Sequence, residues 1–299
     1  MPTPMPKDPP FRHRPYDGST RPFTVGLKPI GDEVWLEPDR FLNVHLAEKD
    51  RLYAQDLSAV FRAEDDTADV QREVLDLVAD NLVRFHPRTH AFEKGSVTLT
   101  ETGRRIALAE EPALLTASKL VQEDLVVMRK GVDGYRLVAA SVCFPSSWRL
   151  SEKIGRSMSG IHEGVPDFNG ARMGQVVERL FENLTTDQLV CRFNWSIYPD
   201  SNLHHPMPEG IPFTVTQESL ARLFLRVERQ TLRRLPGSGD ILFTIRIHHD
   251  PLAKLAEQED RKRIASDLRG QLMNLTEDQL DYKGLVTARD EIAATLARL

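Results

Sequence analysis

An α+β fold with an antiparallel sheet at its centre is what this sequence predicts, and two observations carry that reading. Strand-like runs rich in β-branched residues meet at the glycine-containing connections GVDG (131–134) and PGSG (236–239), which suit hairpins. Helical periodicity is found before residue 86, in short stretches between the strands, and again after residue 252. A sheet of five or six antiparallel strands, crossed by helices on one face and flanked by helices at both ends, satisfies both.

Taken in order, residues 1–22 carry prolines at 2, 4, 6, 9, 10, 15 and 22, which leave no room for a helix and predict an extended surface arm. Helical spacing follows from Glu37 to Ala63. A second helix runs from Thr67 to Phe85, with Val70, Val74, Leu77, Val78 and Leu82 on one face, and ends before Pro87. The acidic EDDTAD (64–69) reads as a solvated loop and helix entry, and QED (122–124) as a device that caps or pins the sheet edge.

Strands are expected over Leu125–Lys130, Tyr135–Phe144, Cys191–Tyr198, Phe224–Leu235 and Ile241–His248, and short helices over Met173–Leu184 and Gln217–Leu223. In FTIRIH, alternation places Phe243, Ile245 and Ile247 on one face, with Thr244 and Arg246 on the other. Helices over Leu255–Met273 and Leu285–Leu299 form a C-terminal extension from residue 252, so 1–299 reads as a single domain.

Composition excludes several classes. A formal charge of −5 lacks the basic field that non-specific nucleic-acid binding needs. No apolar run reaches the roughly 18 residues of a membrane span, and the proline-rich N-terminus has no apolar signal core. Cys143 and Cys191, each within an apolar run, read as buried thiols in a reduced, cytoplasmic compartment and cannot hold an iron–sulfur cluster. Walker, dinucleotide-binding, H-E-x-x-H and G-x-S-x-G motifs are absent, and the PGSG glycines sit in a hairpin turn rather than at a helix start.

The chemistry concentrates in FPSSWRLSEKIGRSMSGIHEGVP (144–166). Ser151 caps a short helix there and Gly160 ends it in the left-handed conformation, so His162 leaves the last turn in a fixed direction, as a metal or haem ligand does. The competing reading is a surface histidine at a helix C-terminus. His204 is the runner-up ligand; His205, His248 and His249 read as solvated, and His45 and His86 as packing residues.

In RFNWSIYP (192–199), Arg192, Asn194 and Ser196 share a face opposite Phe193, Trp195 and Ile197. That polar face either lines a pocket, where a guanidinium polarises a bound oxygen species, or meets solvent. Arg226, Glu228 and Gln230 likewise share a face. Glu228 either binds an ammonium group in a dry pocket or pairs across the hairpin with Arg246. Arg149 is either a propionate-binding or an exposed arginine.

Together with FTVGLKPI (23–30) and VERQTLRRLPGSGDILFTIRIH (227–248), these segments make the chain resemble the α subunit of haem-dependent oxidative N-demethylases, in order along most of its length. The resemblance implies a PAS-like core, in which a sheet and crossing helices pinch a haem. It implies non-covalent haem b, there being no C-x-x-C-H attachment site. It favours His162 as the iron ligand, Arg149 at the haem, and Arg192 and Glu228 as catalytic residues. The implied reaction uses dioxygen to oxidise a small secondary amine toward an iminium, from which water releases formaldehyde. NADPH, flavin and an iron–sulfur cluster would act only through separate reductase subunits. The alternative from another class is a haem-binding sensor without turnover.

Overall fold

The computed structural model describes residues 9–19, 22–166, 168–169, 172–207 and 222–299. Its seven-stranded antiparallel sheet has the spatial order β1 (Lys28–Pro29), β8 (Leu189–Tyr198), β9 (Phe224–Arg234), β10 (Ile241–Pro251), β6 (Asp124–Gly131), β7 (Gly134–Ser141) and β2 (Phe61–Ala63). Five of the strands were legible in sequence. The short edge strands β1 and β2 carry no alternation of their own, and they exist because β8 and β7 offer unpaired edges. A second, three-stranded sheet of β3 (His90–Glu93), β4 (Ser96–Leu99) and β5 (Arg105–Ala107) adds to the expected architecture.

Both hairpins form where expected. Gly134 takes φ +89° in the GVDG turn, a conformation open to glycine. At PGSG, the Glu73 carboxylate on α2 (Ala68–Phe85) accepts the backbone N–H of Gly237 and of Ser238, so a helix pins the turn.

Helix α1 (Leu42–Val60) is shorter than its periodicity implies. Asp39 Oδ1 accepts the Phe41 N–H at 2.8 Å and holds the preceding residues in a turn, and beyond Val60 the chain joins the sheet as β2. Helix α2 buries Val70, Val74, Val78 and Leu82 as its stripe requires, but Leu75 is buried with them while Leu77, expected in the stripe, is only partly buried. Near the C-terminus a 3₁₀ turn (Leu252–Glu257) leads into α7 (Arg261–Met273), α8 (Glu277–Tyr282) and α9 (Arg289–Leu296). The helix expected over Gln217–Leu223 falls largely outside the described residues.

The sheet is covered on both faces. One face carries Trp195, Ile197, Leu225 and Val227 against the C-terminal helices, and Leu125, Val127 and Leu242 against α2 and α3 (Ala113–Ser118). Thr244 and Arg246 point to this face and are each 1% exposed, so the polar half of FTIRIH is buried. On the opposite face, α4 (Leu150–Lys153), α5 (Met158–Ile161) and α6 (Arg172–Asn183) follow β7 and pack over Val126, Met128, Val190 and Leu232, while α1 packs near Ile245 and Ile247. The N-terminal arm is no loose surface strand: Phe11 and Tyr16 are at most 1% exposed and sit in the C-terminal core.

The QED segment pins backbone, though not at a sheet edge as its sequence suggests, since β6 is an interior strand. Gln122 Oε1 accepts from the Asp39 N–H, Glu123 Oε1 from Glu37, and Asp124 from Cys143 and Phe144. Arg246 does not reach Glu228. It pairs with Asp39 at 2.6 Å on the other face, because Glu228 stands opposite Ile247 and one residue along a strand reverses the face.

Candidate functional site

The face carrying Arg192, Asn194 and Ser196 on β8 also carries Arg226, Glu228 and Gln230 on β9, since Arg192 is paired with Gln230, Asn194 with Glu228 and Ser196 with Arg226. These side chains are organised around Ser146. Its hydroxyl accepts from Arg226 Nε at 3.0 Å and donates to Glu228 Oε1. Arg226, 2% exposed, also donates to the carbonyls of Phe144 (2.8 Å) and Leu203 (3.1 Å), which fixes the segment after β7 over the sheet. Gln230 Nε2 donates to Glu228 Oε2 at 2.8 Å. A carboxylate has about four acceptor positions, so Glu228 keeps capacity for a further donor.

Arg192 is treated differently. Its Nε is sealed from solvent without a partner, and its guanidinium donates no hydrogen bond among the described residues. Burial pulls its pKa down, while Glu228 opposes that as the nearest carboxylate influence. Ser196 Oγ on the same face is likewise buried and has no partner among the described residues. Buried donors left in this state are costly unless a partner beyond the described residues completes them.

His162 follows α5, although the local structure differs from the expected cap. The stretch forms two short helices separated by Gly155 at φ +75°; Arg149 rather than Ser151 stands at the first N-cap, and the Ser157 side chain caps the second. Gly160 lies inside α5, and the left-handed glycine beyond it is Gly164, φ +88°. The histidine is nevertheless held firmly. Its Nδ1 is 2.8 Å from the Met158 carbonyl, which can only accept, so Nδ1 carries the proton and Nε2 keeps its lone pair. The ring stacks on Phe168 with centroids 3.9 Å apart and 8° between planes. Burial lowers its pKa to about 4, and Arg192 is among the charges acting on it.

A neutral imidazole with Nδ1 tied to a carbonyl and Nε2 unengaged among the described residues is the donor that haem iron takes, and the tie orients the ring. Arg192 is close enough to act electrostatically on this ring, so an imidazole nitrogen and a guanidinium of the kind a haem site uses meet here.

Arg149 lies at the surface, beside Glu152 (3.3 Å) and Met207. His204 uses Nδ1 on the Cys143 carbonyl. His205 is 5% exposed and bonds Asn202 O, and His248 and His249 are half-buried within β10, so none of these three is the solvated loop residue that the sequence suggested.

Sequence reasoning missed Ser146 as the link between Arg226 and Glu228, and it missed Lys283. The Lys283 ammonium donates to Asn194 Oδ1 at 3.2 Å and to the Trp195 carbonyl, and lies over the Trp195 and Phe23 rings. Burial depresses its pKa to about 8, against the pull of Glu228. No motif marks it, because it sits in the short link after α8 and meets β8 only through the fold.

A family model described as haem-dependent oxidative N-demethylase, alpha subunit-like, matches residues 26–293.

Proposed function

Because the chain belongs to the haem-dependent oxidative N-demethylase, alpha subunit-like family, we propose that it is the haem-binding subunit of an oxidoreductase that demethylates a small secondary amine with dioxygen. The observation that carries this reading is the set over one sheet face: a histidine whose Nε2 has no partner among the described residues, a guanidinium that donates to none of them, and a carboxylate with spare acceptor capacity. The strands β6 to β10 with α4–α6 laid over that face support a PAS-like core, with the whole chain as one haem-binding unit.

In this reading His162 holds non-covalent haem b through Nε2, and the haem supplies the redox chemistry while the protein orients the reactants. Glu228, positioned by Ser146 and Gln230, receives the amine as its ammonium form and takes the proton that must leave before the nitrogen lone pair can take part. Arg192 presents N–H groups that no other described residue uses to the negative charge developing on reduced oxygen. Arg149 serves a propionate at the rim. Electrons come from NADPH through flavin- and iron–sulfur-bearing partner subunits. Two free buried cysteines favour a reducing compartment, the cytoplasm.

The test is an absorption spectrum of the purified protein, followed by formaldehyde release from a panel of short secondary amines with a suitable reductase. A Soret band with amine-dependent formaldehyde is the expected result. A Soret band without turnover of any amine would favour a sensor, and protein that takes up no haemin would remove the reading.

A further inference from the structure

On the reverse face of the sheet from Arg192 and Glu228, three side chains far apart in sequence converge. His13 of the N-terminal arm, Glu37 before α1 and His248 of β10 each aim one ligand atom at a common point, all within 4.8 Å of one another. His13 Nε2 is 2.8 Å and His248 Nε2 3.2 Å from the same carboxylate oxygen, Glu37 Oε2. We propose that His13, Glu37 and His248 form a mononuclear site for a divalent first-row transition metal, with two imidazole nitrogens and one carboxylate oxygen as ligands and a fourth position open to the neighbouring groove.

The donor set is the first argument. Two imidazoles and one carboxylate are a recurring ligand group for zinc and ferrous iron. Metal–ligand distances near 2.0–2.1 Å put tetrahedral ligands about 3.3 Å apart, so the Glu37 to His248 separation already suits an ion and that to His13 needs only a small opening. Geometry also makes the carboxylate monodentate, since Arg229 Nε (3.4 Å) and an Arg12 nitrogen (3.6 Å) engage the other oxygen, Oε1.

A second observation is that His248 Nε2 is sealed from solvent and, although 3.2 Å from Glu37 Oε2, makes no well-directed hydrogen bond among the described residues. An ion at the common point would satisfy it. The groove supplies access: about 470 Å³ of space is lined by His13 and Glu37, by Arg12 and Arg229, and by Phe193 and Lys283. The guanidiniums beside Glu37 oppose a bare dication and favour an anionic fourth ligand, hydroxide or a carboxylate, over water. Occupancy would fasten the arm to the sheet between its two buried anchors, Phe11 and Tyr16.

The experiment uses the full chain and Zn²⁺ as probe, with metal content measured after dialysis against metal-free buffer and Tm measured with and without the ion. Wild type should retain one equivalent and gain Tm; His13→Ala, on the arm, and His248→Gln should lose both effects while keeping the wild-type circular dichroism. His162→Ala, which removes the candidate haem ligand, should retain the equivalent of zinc. No zinc uptake by wild type would show the cluster to be a hydrogen-bond network and overturn the site. Uptake unchanged in both the His13 and His248 variants, or abolished in His162→Ala, would overturn it equally.

Discussion

Arg192 and Glu228 stand diagonally across β8 and β9 on one face of the sheet, Asn194 being the direct partner of Glu228 and Gln230 that of Arg192. A diagonal step of about 7–8 Å leaves room for a small molecule between the two side chains while both still reach it. Glu228 is positioned by two hydrogen bonds and keeps acceptor capacity, whereas Arg192 donates none among the described residues, which gives them different roles in the variants below.

Glu228→Gln keeps the size of the side chain and removes its charge. We expect amine affinity to fall about 10- to 100-fold, the range for a hydrogen bond to a charged group, with haem content unchanged. Arg192→Leu should instead lower kcat by about 10²–10³, as loss of a preorganised donor does, with little effect on amine binding. Steady-state kinetics on short secondary amines, with haem content measured for each variant, separates the two effects. Full activity in both would exclude these residues from the mechanism.

His162→Ala should abolish the Soret band or leave one that added imidazole restores, because the cavity then accepts an exogenous nitrogen where Nε2 had been. His204→Ala should keep the wild-type spectrum, since that ring lies by the Cys143 carbonyl and Glu48, whereas His162 is the ring that Arg192 acts on. An exchange of the two outcomes would move the ligand to His204.

The ion pair of Arg246 and Asp39 is 1% and 6% exposed. Asp39→Ala leaves the guanidinium buried and unpaired and should cost about 3–5 kcal/mol in denaturant unfolding. The double variant Asp39→Leu with Arg246→Met should recover most of that loss, since both charges go together. A single-variant loss below about 1 kcal/mol would show that water reaches the pair.

Lys283 titrates near 8 in the folded protein because burial disfavours its charge, and near its ordinary 10.5 when unfolded. Between those values the unfolded chain binds more protons, so this residue makes stability rise as pH goes from about 8 toward 10.5. Below 8 the lysine is protonated in both states and its burial cost is fully present. The pH dependence of unfolding over this window should flatten in Lys283→Met, by at most about 1.4 kcal/mol per pH unit.

Acid should act through the histidines. Burial holds His90, His162 and His249 near 4, against an ordinary value of 6.5. The unfolded chain therefore takes up protons first, and haem-free protein should lose stability as pH falls from 6.5 to 4. His90→Gln should reduce that slope; an unchanged slope would show that His90 protonates within the folded protein.

Much of the frame could be read from residue order. Period-two alternation and two glycine turns announce the central hairpins, and the stripe of Val70, Val74, Val78 and Leu82 announces α2, because these are local patterns that backbone geometry imposes on any chain. The same alternation put Arg192 and Glu228 on polar strand faces, whereas the sequence singles out His162 through a Gly160 stop, and the structure places that glycine inside α5.

What alternation left open was which polar faces meet solvent and which are covered, and that is settled by helices from elsewhere in the chain. The C-terminal helices bury one face and α4–α6 lie over the other. Arg246 thus found Asp39 rather than Glu228, and Ser146 became the link between Arg226 and Glu228. Lys283 reached β8 from the C-terminal helices, and His13, Glu37 and His248 met at one point. The sequence by itself determined the five long strands, their hairpins and several of the residues able to do chemistry, since these depend on near neighbours. Only the tertiary structure decided which of them act together, because a buried polar group is satisfied by whichever partner packing brings within about 3 Å, however distant along the chain.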